Sequence, residues 1–325
     1  MNFRLPTKLA FLIILLVAIV VTSIHPATPV KAQGGLSDEQ LVLLERVVTA
    51  VNSVDEYSSY TNTESTALSL DGEVALAGFT QPILQNQQLD KTVTYILGDN
   101  PNASLVATYS SESSQQAGST DSYPVNAEAR YVDGTLYFNG SLSEESTTET
   151  PLPEGWVTVD DVTTYQIFDD IGLDRVLERV GAVEADPANE SPLKDLELLK
   201  KVVTDITVEE ITLEDGSTAN AFTLTIDFVG LVTEDPTALG GDENGTTQAL
   251  FSAFEGQNIQ AVVVLDAEDN PLSYELSFEG SLVDFDASAL SSTLAGATLN
   301  LSFGLSQSSE LSQVNKEIEP VTAPE

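Results

Sequence analysis

Leu272-Ser273-Tyr274-Glu275-Leu276-Ser277-Phe278-Glu279 alternates strictly, with Leu272, Tyr274, Leu276 and Phe278 on one side of an extended chain and Ser273, Glu275, Ser277 and Glu279 on the other. A period of two is the signature of a strand with one apolar and one wet face, the pattern of antiparallel sheet. The same pattern recurs in both directions. Leu299, Leu301, Phe303 and Leu305 alternate with Asn300, Ser302 and Gly304; Phe222, Leu224, Ile226 and Phe228 alternate with Thr223, Thr225 and Asp227. Further upstream, Leu105, Ala107 and Tyr109 share a parity, as do Leu89, Val93, Tyr95 and Leu97, although Lys91 interrupts that apolar face.

Turn residues punctuate these strands. Asp133-Gly134 and Asp215-Gly216 suit the left-handed backbone of tight hairpin turns, and Asp71-Gly72 within Ala67 to Ala77 reads the same way. Ser110 to Ser122, rich in Ser and Gln, reads as a long loop. Ile206 and Val208 change parity with Ile211 and Leu213 at Glu209-Glu210, which predicts a β-bulge there. No 20–50-residue repeat stands out, which disfavours a propeller or solenoid.

Helical spacing appears at a few points. Ser37 is placed as an N-cap, with Glu39 and Gln40 in the first turn and Leu41, Leu44, Val48 and Val51 on one face. In the middle, Thr164, Phe168 and Ile171 form one face, and Leu173, Val176, Leu177 and Val180 form another; a short helix around Leu193 to Lys200 and one over Thr246 to Phe254 follow. Asp235 to Gly245 is an acidic loop. The order of elements predicts an α+β fold: a single curved antiparallel sheet, an unclosed half-barrel, with several helices covering its concave face. The helical middle is read as an insertion between two halves of one sheet; a domain boundary at Asp186 to Pro192 is the alternative.

The N-terminus has the three parts of a secretory signal: Arg4 and Lys8, the apolar run Phe11 to Val21, and Val30-Lys31-Ala32 before Gln33. Cleavage after Ala32 gives a signal over residues 1–32, one domain over 33–305 and a C-terminal tail over 306–325; an uncleaved anchor is the competing reading. Secreted or periplasmic localisation follows, with no stable membrane insertion after cleavage. The chain has no cysteine, so a lipid anchor on cysteine and a disulfide framework are both excluded, and stability must come from a core. Three of the 12 basic residues (Arg4, Lys8 and Lys31) lie in 1–32, leaving nine against 51 acids, a net charge of −42. Such a surface repels phosphates and anionic membranes, which excludes nucleic acid as a partner. A soluble, self-repelling exterior explains the acidity; a salty environment and weak divalent-cation binding are the other readings.

The helix running into Val51-Asn52-Ser53-Val54-Asp55-Glu56-Tyr57-Ser58, then Ala129-Arg130-Tyr131-Val132-Asp133-Gly134-Thr135-Leu136-Tyr137 followed by Pro153-Glu154-Gly155-Trp156-Val157-Thr158-Val159-Asp160, resembles the bacterial lipoprotein-carrier superfamily typified by LolA, LolB, LppX and LprG. The late strand pair in Val262 to Phe278 and the closing tail Val314 to Pro324 extend the resemblance over nearly the whole chain beyond the signal. It implies a half-barrel that binds lipid or lipoprotein. The motifs are structural, none is a catalytic signature, and the missing cysteine and extreme acidity depart from the lipoprotein members.

His25, the sole histidine, lies in the segment expected to be removed. Without His or Cys, Ser-His-Asp and Cys-His machinery and the usual zinc ligands are excluded. Carboxylate-only glycoside hydrolysis remains open, but a lone Trp156 offers little of the aromatic platform that sugars need. Asp242-Glu243-Asn244-Gly245 and Asp266 to Asn270 are oxygen-rich turns without EF-hand spacing, better read as solvated turns, so neither a metal nor a cofactor is expected. Asn102, Asn139, Asn189, Asn244 and Asn300 head Asn-x-Ser/Thr triplets, which chance explains in so Ser/Thr-rich a chain.

An exported, non-catalytic carrier of a lipid or other apolar ligand is therefore expected, its cavity lined by Leu41, Leu44, Val48, Phe168, Leu173, Leu177, Phe251 and Phe254. For each of these residues, ordinary core packing is the competing account. A structural or adhesive surface domain with a solid core is the alternative function.

Overall fold

The computed structural model describes residues 35–76, 79–116, 119–142, 152–160, 165, 167–186, 191–235, 254–287 and 296–324. The signal segment, the acidic loop after Asp235, most of the helix expected at Thr246 to Phe254, and Thr164 lie outside them.

Eleven strands form one antiparallel sheet: β1 (Ser59–Leu76), β2 (Phe79–Ile96), β3 (Asn102–Gln116), β4 (Ser119–Val132), β5 (Thr135–Leu142), β6 (Val157–Val159), β7 (Val203–Thr212), β8 (Thr218–Asp227), β9 (Asn258–Leu265), β10 (Pro271–Asp286) and β11 (Ala297–Ser312). Their order in space is β6-β5-β4-β3-β2-β1-β11-β10-β9-β8-β7, so the sheet is not closed. The chain starts in the middle at β1, works outward to the β6 edge, passes through helices to the β7 edge, and returns to the middle at β11, which pairs with β1 along Thr61 to Leu76.

Five α-helices accompany the sheet among the described residues: α1 (Asp38–Ser53), α2 (Ile167–Ile171), α3 (Leu173–Arg179), α4 (Leu196–Val202) and α5 (Phe228–Glu234). Ser37 caps α1 as expected. Its hydroxyl accepts from the Gln40 amide, and the Gln40 side chain accepts from the Ser37 amide, satisfying two end groups reciprocally. Leu44, Val47, Val48 and Ala50 are its buried stripe. The helices α2 to α4 stand between β6 and β7 in the chain, and those two strands are the opposite edges of the one sheet.

Four local expectations are corrected. Asp71-Gly72 makes no turn: both residues sit inside β1, opposite Leu84 and Ile83 on one side and Ser302 and Leu301 on the other. The glycine is there for close approach, since a Cβ at position 72 would stand 2.2 Å from the Asn300 carbonyl oxygen. Ser110 to Ser122 is mostly ladder, with Ser110 opposite Pro124 and Ser113 opposite Asp121; polar composition does not prevent pairing once neighbouring strands fix the register. The β7 irregularity lies between Val203 and Asp205, and Glu209-Glu210 keep continuous register; β7 is an edge strand, so Val208 is simply exposed. Phe228 leaves the strand and begins α5. The turns at Asp133-Gly134 and Gly216 match expectation: φ is 49° and 79° at the first pair and 84° at Gly216.

Candidate functional site: the apolar face and its polar stripe

Cross-strand pairing assigns side chains to faces, because directly opposed residues point the same way. Phe278, Leu305, Leu68, Gln87 and Ser111 form one row across β10, β11, β1, β2 and β3. Gly280, Phe303, Leu70, Gln85 and Ser113 form the row beside it. Both rows belong to the face that carries the core, on which two separate hydrophobic clusters are built.

The first cluster joins α1, α4 and α5 to β7–β11 and the far ends of β1 and β2. Its centre is aromatic: the Phe228 and Phe278 rings stack with centroids 4.2 Å apart, and Phe254 and Phe303 pack around them. The second joins α2 and α3 to the near ends of β1–β5, where Phe138 meets Phe168 edge-on at 4.6 Å and Tyr60 lies 4.8 Å from Tyr95. The residues expected to line a cavity divide between them. Leu44, Val48 and Phe254 lie in the first cluster and Phe168, Leu173 and Leu177 in the second; Leu41 is half-buried and in neither, and Phe251 lies outside the described residues. The structure therefore brings these residues together as two groups of three.

Between the clusters runs a diagonal stripe of polar side chains on the same face. Glu64 lies opposite Lys91 and Ser309, and Ser309 lies opposite Tyr274. Lys91 Nζ is 2.9 Å from Glu64 Oε2, with the lysine side chain 7 % and the glutamate 18 % exposed. Asn62 Nδ2 donates to Glu64 Oε1 at 2.6 Å and its Oδ1 accepts from Ser309 Oγ at 2.6 Å, while Gln307 donates to the Tyr274 hydroxyl. Gly172, in the left-handed turn joining α2 to α3, sits over the ammonium: a Cβ there would lie 3.3 Å from Lys91 Nζ. Burial, with the Glu64 charge nearby, drives the Tyr274 phenol above its usual range, and burial raises Tyr60 and Tyr95 as well.

The stripe continues along β2. Gln85 is 5 % exposed, and neither its Oε1 nor the buried Nε2 of Gln87 reaches a hydrogen-bond partner among the described residues. An unpartnered buried polar atom costs about 1–3 kcal/mol. Lys91 was the sequence signal for this stripe, as the break in the apolar parity of Leu89 to Leu97; the rest was hidden, because Asn, Gln and Ser at inward positions look like ordinary strand residues until the register is known.

A second feature lies on the opposite face. Glu279, Gly304, Ser69, Asn86 and Glu112 form a cross-strand row there, and together with neighbouring strand residues they line a hollow of about 400 Å³ at the middle of the sheet. Ala67, Leu68, Phe278 and Leu305 line it beside the hydroxyls, amides and carboxylates, so its walls are mixed in character.

With this geometry the chain is similar to solved structures of three bacterial proteins. LprF from Mycobacterium bovis is 15% identical, covering 90% of this chain and 99% of that one, with a TM-score of 0.31. The lipoprotein LppX from Mycobacterium tuberculosis, a member of the group that the sequence resembles, is 12% identical over 88% of this chain and 99% of that one, with a TM-score of 0.30. A DUF1329 family protein from Desulfovibrio piger is 8% identical over 87% and 95% respectively, at 0.22. No known protein family and no curated protein matches the sequence. Among the described residues, no helix is long and apolar enough to cross a membrane, and no group of three or more His, Asp or Glu side chains is placed to hold a metal ion.

Proposed function

We propose that the protein is an exported, non-catalytic carrier of a lipid or other apolar ligand held against the apolar face of its unclosed sheet. The observation that carries this reading is the mismatch between that face and its cover. Among the described residues, five α-helices, four of them of seven residues or fewer, serve two clusters on an eleven-stranded sheet, and Leu68, Leu276 and Leu305 are half-buried. An apolar guest would cover them.

On this reading the helices stand on the concave side, residues 33–305 act as one domain after cleavage at Ala32, and 306–325 form a tail whose start prolongs β11. Leu41, Leu44, Val48 and Phe254, with Phe251, would meet the guest from one end, and Phe168, Leu173 and Leu177 from the other. No cofactor is required, and the protein would act in a secreted or periplasmic setting. Organic extraction of the purified protein followed by mass spectrometry is expected to release a stoichiometric lipid, or the stripped protein to bind fluorescent fatty acyl probes. Neither lipid nor probe binding would remove the carrier reading.

A structural or adhesive domain with a solid core is the second reading. It is favoured by the packing of Leu44, Phe168, Leu173, Leu177 and Phe254, each at 2 % exposure or less. It predicts that the stripped protein has the same melting temperature with and without acyl probes.

A further inference from the structure

We propose that Gln85 and Gln87 of β2 form a subsite for the uncharged, hydroxyl-bearing polar end of the ligand, an inference that rests on the carrier reading above. The two amides stand two residues apart on one face of one strand, about 7 Å along the chain. One offers a buried acceptor, Gln85 Oε1, and the other a buried donor, Gln87 Nε2, and no group among the described residues meets either. A hydroxyl both donates and accepts, so a glycerol-like end answers both atoms at once.

The surroundings orient such a molecule. Gln87 is directly opposite Leu68, and Gln85 directly opposite Leu70; Ile83 follows on the same face of β2. Leu305 and Phe303 lie across β1 from the two glutamines. An acyl chain leaving the subsite toward β11 would therefore run over apolar side chains, beginning with the half-buried Leu68 and Leu305.

Charge selects against an anionic head. Lys91, the cation on this face of β2, is already neutralised by Glu64, and the chain beyond residue 32 carries a net charge of −42. A carboxylate or phosphate brought to Gln85 Oε1 would face an acceptor with nothing to donate to it.

The test compares the purified, delipidated protein with its Gln85→Leu/Gln87→Leu variant, using three pyrene-labelled probes: a decanoyl glycerol monoester, the free decanoate and the hydrocarbon. The wild type is expected to bind the monoester at least tenfold more tightly than the other two, and the variant to lose roughly tenfold in monoester affinity with hydrocarbon affinity unchanged. Equal monoester affinity in the two proteins, or equal wild-type affinity for monoester and decanoate, overturns the subsite while leaving the carrier reading in place. Wild-type binding of none of the three overturns both.

Melting temperature gives an independent readout. Replacing unpartnered amides by leucine should hold or raise it; a fall in this variant and in the single Gln85→Met variant would mean that the fold itself satisfies the amides, which also overturns the subsite.

Discussion

Lys91 and Glu64 pose the sharpest energetic question at the level of single residues. Two charges taken from water regain their solvation only through each other and through neighbouring hydrogen bonds, and here Asn62 and Ser309 extend the chain of contacts on the glutamate side. Removing one partner leaves the other charge buried. Lys91→Met or Glu64→Leu alone should therefore destabilise the protein by about 3–5 kcal/mol, whereas the double substitution should fall well short of the sum and approach the wild type. Urea denaturation of the four proteins measures this coupling, and additive losses would show that the pair is solvated. Tyr60 is held by the same kind of local logic, its hydroxyl accepting from Arg179 Nε at 3.0 Å. Arg179 also donates to Asp55, which Lys194 reaches as well, so one carboxylate ties α3 to the turn that leads into α4.

At the level of elements, β1 shows why glycine in a strand and glycine in a turn need different arguments. A Cβ at Gly72 would meet backbone, the Asn300 carbonyl oxygen at 2.2 Å and the Leu301 Cα at 2.9 Å. A Cβ at Gly304 would meet only the Ser69 hydroxyl, at 2.6 Å, the end of a side chain that can rotate away. Gly72→Ala should therefore cost more than Gly304→Ala, about 2–4 kcal/mol against 1 or less, because only the first forces β1 and β11 apart. Comparing the two urea midpoints tests this, and equal losses would contradict the assigned β1–β11 register. That register was also the part the sequence hid. Period-two alternation in Leu272 to Glu279 and Leu299 to Leu305, the Ser37 cap and the Asp133-Gly134 turn were all legible, because each depends on neighbours a few residues away. Asp71-Gly72 and Ser110 to Ser122 were misread because what determines them is a partner strand far along the chain: β11 for the glycine, β4 for the serines. Apolar candidates such as Phe168 and Leu177 could be named from spacing alone, but their division into two clusters, and the Gln85–Gln87 pair beside them, depend on which strand lies next to which.

For the molecule as a whole, the two clusters and the stripe between them make alkaline pH a probe of cooperativity. Tyr60 and Tyr95 belong to the second cluster, while Tyr274 packs against the first; burial is the leading cause that raises each of their pKa values above 10.0. The sign follows from proton counting. Below pH 10 these phenols are protonated in both folded and unfolded chains and contribute no pH dependence. Above it the unfolded chain releases protons that the folded chain retains, so stability falls as pH rises, by about 1.4 kcal/mol per pH unit for each such tyrosine. Between pH 10 and 12 the phenolate absorbance of these residues should therefore appear together with loss of the strand signal in circular dichroism, and Tyr95→Phe should make the decline shallower. If instead they titrated near pH 10 with the sheet intact, water would already have access to both clusters. Because Tyr60 belongs to one cluster and Tyr274 packs against the other, a single transition would show that the halves of the sheet open as one unit, and two transitions would make the stripe a seam along which one cluster can loosen while the other holds, the motion that the proposed apolar guest would require.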